Sequence, residues 1–320
     1  MQLVLQIFLN NILPIFLMIL VGVWLGKAFR MDLNTLSKIN FYVTVPAFAF
    51  TQLYSTDLSR DQLLVFFYAI IQVAVLALIA DLTARVRGHG MGMRKAFANS
   101  VMIYNSGNIG IPLITLVFSS SGYIAAGENP ALDLALATQT VILVVLSITT
   151  NTFGFYNSSS GEGTTREALG KMLRMPTIYA VPLALILKNF SFDLSEWFFW
   201  PALQMGSNAL IALALLTLGI QLTQTRFRLA SADVWIAVAL RLVAGPIIAF
   251  VLIYLFGFTG IVARTLLISG SVPTAVNSAL LAVENKNEPE FASQVVLFST
   301  ILCGATLVLV IWLSTRLFPL

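Results

Sequence analysis

Charge is scarce in this chain, and histidine and cysteine are almost missing. Only 10% of its 320 residues are charged, against about 25% in ordinary soluble domains. So few charges cannot cover a water-facing surface, so lipid must be the solvent for most of the chain. The single cysteine, Cys303, and single histidine, His89, exclude a disulfide framework and a zinc site. Cys303 lies in an apolar run and reads as a small buried hydrophobe. His89 sits in the connector Arg87-Gly88-His89-Gly90 and reads as a solvated loop residue. No cofactor is expected. Acidic residues are missing from the middle of every apolar run, Asp81 and Asp133 lying close to run ends. That disfavours cation exchange through buried carboxylates and leaves a neutral to electropositive interior suited to an anion. The net charge of +4 sits in short connectors and forms no basic face, which excludes nucleic acid as a partner.

What is present is apolar sequence in lengths that fit a bilayer, roughly 20 residues each. Ten such runs lie near 7–27, 38–54, 62–84, 94–119, 132–154, 175–190, 199–223, 233–256, 263–283 and 291–315. No Lys or Arg precedes the first run, and Lys27 follows it. That argues against a cleavable signal and for an extracytoplasmic N-terminus. With that orientation the inside connectors hold Lys27, Arg30, Lys38, Arg85, Arg87, Arg94, Lys95, Arg166, Lys171, Arg174, Arg226, Arg228 and Lys286. The outside holds only Arg60, Lys188, Arg264 and Arg316. This bias places both termini outside, as expected of a multi-pass protein of a plasma or bacterial inner membrane.

A polar stretch around 155–174 separates residues 1–154 from residues 175–320, five runs on each side. Because five is odd, the second group enters the membrane in the opposite sense to the first, the layout of an inverted-topology repeat. The expected fold class is therefore an all-α polytopic membrane protein of ten helices in two inverted five-helix repeats. Only the order of features matches between halves: Arg94 and Arg264 stand at one offset, Pro112 and Pro273 at another.

The fourth run of each half is interrupted by polar residues, glycine and proline. The first reads Tyr104-Asn105-Ser106-Gly107-Asn108-Ile109-Gly110-Ile111-Pro112, and the second Ser269-Gly270-Ser271-Val272-Pro273-Thr274-Ala275-Val276-Asn277. Proline removes a backbone donor and clashes with the carbonyl four residues back, here Asn108 and Ser269. Irregular backbone at membrane depth survives only inside protein or beside water. At about 1.5 Å per residue, Asn105 lies roughly 15 Å past Lys95 and Pro273 roughly 14 Å past Arg264. Both breaks thus fall near the bilayer middle, each expected to begin a half-helix near its proline. Half-helix N-termini present unpaired N–H groups to a carboxylate. The amides of Asn105, Asn108 and Asn277 and the hydroxyls of Ser106, Ser269, Ser271 and Thr274 add hydrogen bonds. Arg241, the basic residue well inside a run, either meets an anionic substrate or internal partner or snorkels to the cytoplasmic edge. Pro14, Pro46, Pro182, Pro201 and Pro246 read as simple kinks, and Asn11, Asn40, Gln72, Asn151 and Asn208 as bridges between helices.

Through Asn105–Pro112, Ser269–Ala275 and the stretch Glu290–Thr300, the chain resembles the auxin efflux carrier family, which includes plant carriers and bacterial malate or malonate permeases. The resemblance implies broken crossover helices in the fourth span of each repeat and a scaffold beside a moving transport domain. It also implies alternating access and commonly a homodimer. The substrate-binding positions it implies are Asn105, Ser106, Gly107, Asn108 and Pro112 with Ser269, Gly270, Pro273, Thr274 and Asn277. The short central linker departs from plant carriers and favours a bacterial-type carrier of small carboxylates, driven by a proton, sodium or substrate gradient. Two alternatives are a sodium-coupled symporter of bile-acid-like anions and a ligand-sensing receptor on a carrier fold. No nucleophile–base or metal constellation lies in the runs, which disfavours an intramembrane enzyme.

Overall fold

The computed structural model describes residues 2–29, 31–56, 60–119, 129–159, 170, 173–190, 193–224 and 231–319. Arg30, Arg166, Lys171, Arg226 and Arg228, and most of the stretch 155–174, lie outside the described residues, as does the side chain of Arg60. The described chain is helical. In order it forms α1 (Val4–Phe29), α2 (residues 33–55), α3 (Arg60–Val86), α4 (Met91–Met102), α5 (Ser106–Phe118) and α6 (Pro130–Ser158). There follow α7 (Pro176–Leu187), α8 (Trp200–Gln224), α9 (Ala232–Phe256), α10 (Gly260–Ser269), α11 (Val276–Glu284) and α12 (Pro289–Leu317).

Among the described residues six helices, α1, α3, α6, α8, α9 and α12, are long and apolar enough to cross a bilayer. Four expected spans take other forms. The run at 38–54 belongs to α2, whose first turns carry Asn34, Thr35, Lys38 and Asn40. The run at 175–190 is a 12-residue helix, α7. The runs at 94–119 and 263–283 are each divided, into α4 with α5 and α10 with α11.

Proline acts here less as a kink than as the cause of a widened turn. Four five-residue π turns, Phe8–Ile12, Asn40–Thr44, Ser106–Gly110 and Leu240–Ala244, end two residues before Pro14, Pro46, Pro112 and Pro246. In each, the residue preceding the proline donates its N–H to the carbonyl five residues back. Loosening that turn moves the carbonyls away from the incoming ring, which would otherwise clash. The simple-kink reading of Pro14, Pro46 and Pro246 is corrected accordingly. Among the described residues one further π turn, Thr150–Gly154, has no such proline.

Large apolar side chains stay exposed along the outside, among them Leu20 and Trp24 on α1, Leu63 and Phe67 on α3, and Tyr254 and Leu255 on α9. Between helices in lipid, apolar burial supplies little drive, so close backbone approach and buried hydrogen bonds carry the packing. The pair α1 and α8 shows the first: a Cβ added at Gly219 would overlap the Ile19 carbonyl oxygen and stand 2.8 Å from Gly22 Cα. Asn40 shows the second, its Nδ2 donating to Thr217 Oγ1 of α8 at 3.1 Å. Thr51 likewise bonds Ser207 at 3.1 Å. Each such bond contributes about 1 kcal/mol or less.

Helix α8 packs on α1 and on α2, and α7 packs on α2, with a small core of Phe50, Leu53, Ala184, Leu194 and Trp200 between α2, α7 and α8. Helix α3 packs on α4, α6 and α9, and α12 on α9, α10 and α11, which gathers these helices round the two breaks. At one end, Arg94 holds Asp81 through two bonds of 3.1 and 2.6 Å, and Asp233 accepts from Arg87 at 2.5 Å. His89 also meets Asp233, at 3.0 Å, and stacks on Phe97. His89 is therefore half-buried and paired, not a solvated loop residue. Cys303 is buried and donates to the Thr300 carbonyl.

Candidate functional site

The breaks lie side by side. Between Met102 and Ser106 the chain runs Ile103-Tyr104-Asn105 without helix, and between Ser269 and Val276 it runs 270–275. Tyr104 and Thr274 pair as an isolated antiparallel bridge. Asn105 N–H donates to the Pro273 carbonyl and Ala275 N–H to the Ile103 carbonyl, both at 2.8 Å. Backbone that would be orphaned in hydrocarbon is thus satisfied by the other break. The paired residues are 170 positions apart, the same offset as Arg94 and Arg264.

The prolines do not define the half-helices as the sequence suggested. In the first break helix resumes at Ser106, six residues before Pro112, because Asn105 caps it: its Oδ1 accepts from Asn108 N–H at 3.1 Å. A short polar side chain ahead of a helix does this work well. In the second break Pro273 lies in the irregular segment, and helix resumes at Val276. No side chain caps that end; Ser278 N–H donates to the Ala275 carbonyl at 3.1 Å, and the N–H groups of Val276 and Asn277 come before the first bond of the helix.

A cavity of about 50 Å³ opens between these two helix starts. It is lined by Asn105, Ser106, Gly107, Asn108 and Asn277 of the expected residues, together with Tyr104, Ala275 and Val276. Phe41 and Val45 of α2 close one side, and Leu143, Leu146, Ser147 and Thr150 of α6 another. Asn105 is 4% exposed, and its Nδ2 has no hydrogen-bond partner. With Oδ1 committed to the cap, this nitrogen is a buried donor left over. A wider cavity of about 340 Å³ shares Phe41, Thr150 and Asn277 with the first and reaches Arg174, Pro176 and Glu284. The small cavity has room for one or two waters, or for one carboxylate-sized group. The larger one takes the body of a small organic molecule.

The other expected residues stand outside this lining. Ser271 Oγ donates to the Leu267 carbonyl at 2.6 Å, and Thr274 Oγ1 to the Ser100 carbonyl at 2.6 Å. Thr274 N–H donates to Ser299 of α12. These groups hold the second break to its surroundings. Ser269 is fully buried with its hydroxyl unpartnered. Gly270 lets neighbouring helices close in, since a Cβ there would fall 2.6 Å from both Ala249 Cβ and Gln72 Nε2. Pro112 sits behind the first helix start.

Arg241 neither snorkels nor lines either cavity. It is 0% exposed. Its Nη1 donates to the Val101 carbonyl at 3.2 Å and its Nη2 to the Gly270 carbonyl. Its guanidinium lies 4.7 Å over the Tyr104 ring, whose hydroxyl donates to Gln72 Oε1 at 3.0 Å. Gln72 thus ties α3 to the first break, where the sequence suggested a bridge between helices. Ser147 and Thr150 were missed by sequence reading. Their signal was the polar run Ser147-Ile148-Thr149-Thr150-Asn151-Thr152 near the end of an apolar span.

Residues 163–313 match a family described as membrane transport protein. The chain is 27% identical over 298 residues to an uncharacterized transporter of Methanothermobacter thermautotrophicus, covering 92% of this chain and 94% of that one. It is 23% identical over 284 residues to an uncharacterized transporter of Methanocaldococcus jannaschii, covering 85% and 88%.

Proposed function

From the match of residues 163–313 to a membrane transport protein family we propose that the chain is an auxin efflux carrier-like transporter, a secondary carrier of small organic anions, mono- or dicarboxylates. One observation carries this reading. Asn105, which lines the cavity where the breaks meet, has a buried, unpartnered donor in its Nδ2, and the uncapped start of α11 at Val276 and Asn277 lines the same cavity. Two or three donors converging at the positive end of a helix dipole suit a carboxylate, and charge-assisted hydrogen bonds are the strong ones. None of the residues that line the inner cavity is acidic, which suits an anion there, while the wider cavity holds both Arg174 and Glu284.

In this reading one carboxylate occupies the inner cavity and the remainder of the acid extends toward Arg174. Asn105, Ser106, Gly107, Asn108 and Asn277 touch the solute. Ser269, Gly270, Ser271, Pro273, Thr274 and Pro112 shape the breaks that present it, and Arg241 acts from behind. The chain crosses the membrane ten times as two inverted repeats, 1–154 and 175–320, joined by a cytoplasmic linker, with both termini extracytoplasmic. The equal offset of the bridge residues and of Arg94 and Arg264 supports the repeat. Helices α1, α2, α7 and α8 serve as scaffold in a homodimer. The group round the breaks slides against them, driven by a proton, sodium or substrate gradient.

Counterflow of labelled malonate and malate in proteoliposomes tests the function. Uptake into acid-loaded vesicles, reduced in Asn105→Ala and Asn277→Ala, is expected. A folded, reconstituted protein that exchanges no mono- or dicarboxylate overturns it.

A further inference from the structure

Arg241 carries a full charge into the centre of the protein, and among the described residues no carboxylate lies within ion-pair reach of it. Burying such a charge is costly unless something compensates it. Its partners are two carbonyls, and their positions tell what compensates it. Val101 is in the last turn of α4 and Gly270 immediately follows α10, so Arg241 bonds the C-terminal ends of both half-helices that run into the breaks.

The charge balance follows from the helix dipoles. Each C-terminal end carries about half a negative charge and each N-terminal end about half a positive one. Four ends meet here: α4 and α10 arrive with their C-termini, α5 and α11 leave with their N-termini. Left alone the four sum to nothing, and a junction without net charge has no reason to prefer an anion. One arginine on the two C-terminal ends cancels them. The two N-terminal ends at the cavity are then unopposed.

We infer that Arg241 makes the junction anion-selective without touching the solute, by neutralising the ends of α4 and α10 while α5 and α11 face the cavity. It is a positioning residue whose charge, not only its hydrogen bonds, serves selection. The inference rests on the proposed anion site and deepens it. Val101 and Asn105 are four residues apart, at most about 14 Å of chain. A unit charge about 10 Å away at an effective dielectric constant of about 20 changes the local concentration of a monovalent ion roughly tenfold.

The test uses the full-length protein and reads the potential directly. With Cys303→Ser removing the one native thiol, Asn277→Cys places a thiol in the cavity wall. Its reaction rate is measured with an anionic reagent, sulfonatoethyl methanethiosulfonate, and with its cationic trimethylammonium counterpart. With Arg241 present the anionic reagent should react faster relative to a free thiol in solution. Arg241→Gln should lower the anionic-to-cationic ratio at least about tenfold, and Arg241→Lys, which keeps the charge, should leave it within about threefold. An unchanged ratio in a monodisperse Arg241→Gln protein overturns the inference and leaves Arg241 a structural clamp. A preference for the cationic reagent with Arg241 in place overturns it too, whether or not the glutamine variant folds. Protection by malonate is recorded beside these on Ser147→Cys in the Cys303→Ser background, whose thiol lines the same cavity while Asn105 and Asn277 are kept. An intact ratio without protection by any carboxylate sinks the carboxylate reading alone.

Discussion

Asn105→Asp separates the two tasks of one side chain. In the native protein Oδ1 accepts from Asn108 N–H at 3.1 Å and caps α5, while Nδ2 is buried without a partner. Aspartate has the same shape and keeps the acceptor. A carboxylate at a helix start is stabilising by about 0.3–1 kcal/mol, so the fold should hold or tighten. The donor, by contrast, is lost and a like charge faces the bound anion. A hydrogen bond to a charged group contributes about 1.5–3 kcal/mol. Two like charges at about 4 Å repel by about 4 kcal/mol at an effective dielectric constant of about 20. Together these weaken carboxylate binding by at least about a thousandfold at neutral pH. Lower pH protonates the new carboxyl, restores a donor, and should recover part of the affinity. Asn105→Ala should differ: it loses the donor, weakening binding about 10- to 150-fold, and also the cap, at about 1 kcal/mol of stability. Thermal shift against malonate and malate, beside melting of the unliganded variants, reads both quantities. Affinity within threefold of native in Asn105→Asp refutes the assignment of Nδ2 to the solute.

The remaining expectations concern the frame. Gly219→Leu should lower the melting temperature clearly, overpacking costing about 1–3 kcal/mol or more, because a side chain there meets the backbone of α1 at Ile19 and Gly22; an unchanged melt in detergent argues against the close pairing of α1 and α8. A double-mutant cycle of Arg94→Gln and Asp81→Asn, read by thermal or denaturant unfolding, should give a coupling of about 1 kcal/mol, since the bidentate pair is only partly exposed; strict additivity would show that the two do not interact. Cys303, 1% exposed, should resist maleimide in the native state and react only on unfolding, so labelling should track the melting curve and fast labelling at 20 °C refutes its burial.

The number of apolar runs, their polar connectors and the two interruptions were open to sequence reading because hydrocarbon imposes length and polarity rules on each segment by itself. The cap at Asn105 had a sequence signal too, since a short polar side chain ahead of an apolar run favours a helix start. The π turns before Pro14, Pro46, Pro112 and Pro246 were not legible, for a proline states that a turn must yield but not whether by bending or by widening. Arg241 was readable as a charge out of place, but its role required knowing that Val101 and Gly270, 169 residues apart in the chain, end two helices at one point. Single segments answer to the solvent they cross. Which carbonyls converge on one guanidinium, and which amide is left without a partner, depends on how those segments pack, and only the tertiary structure decides that.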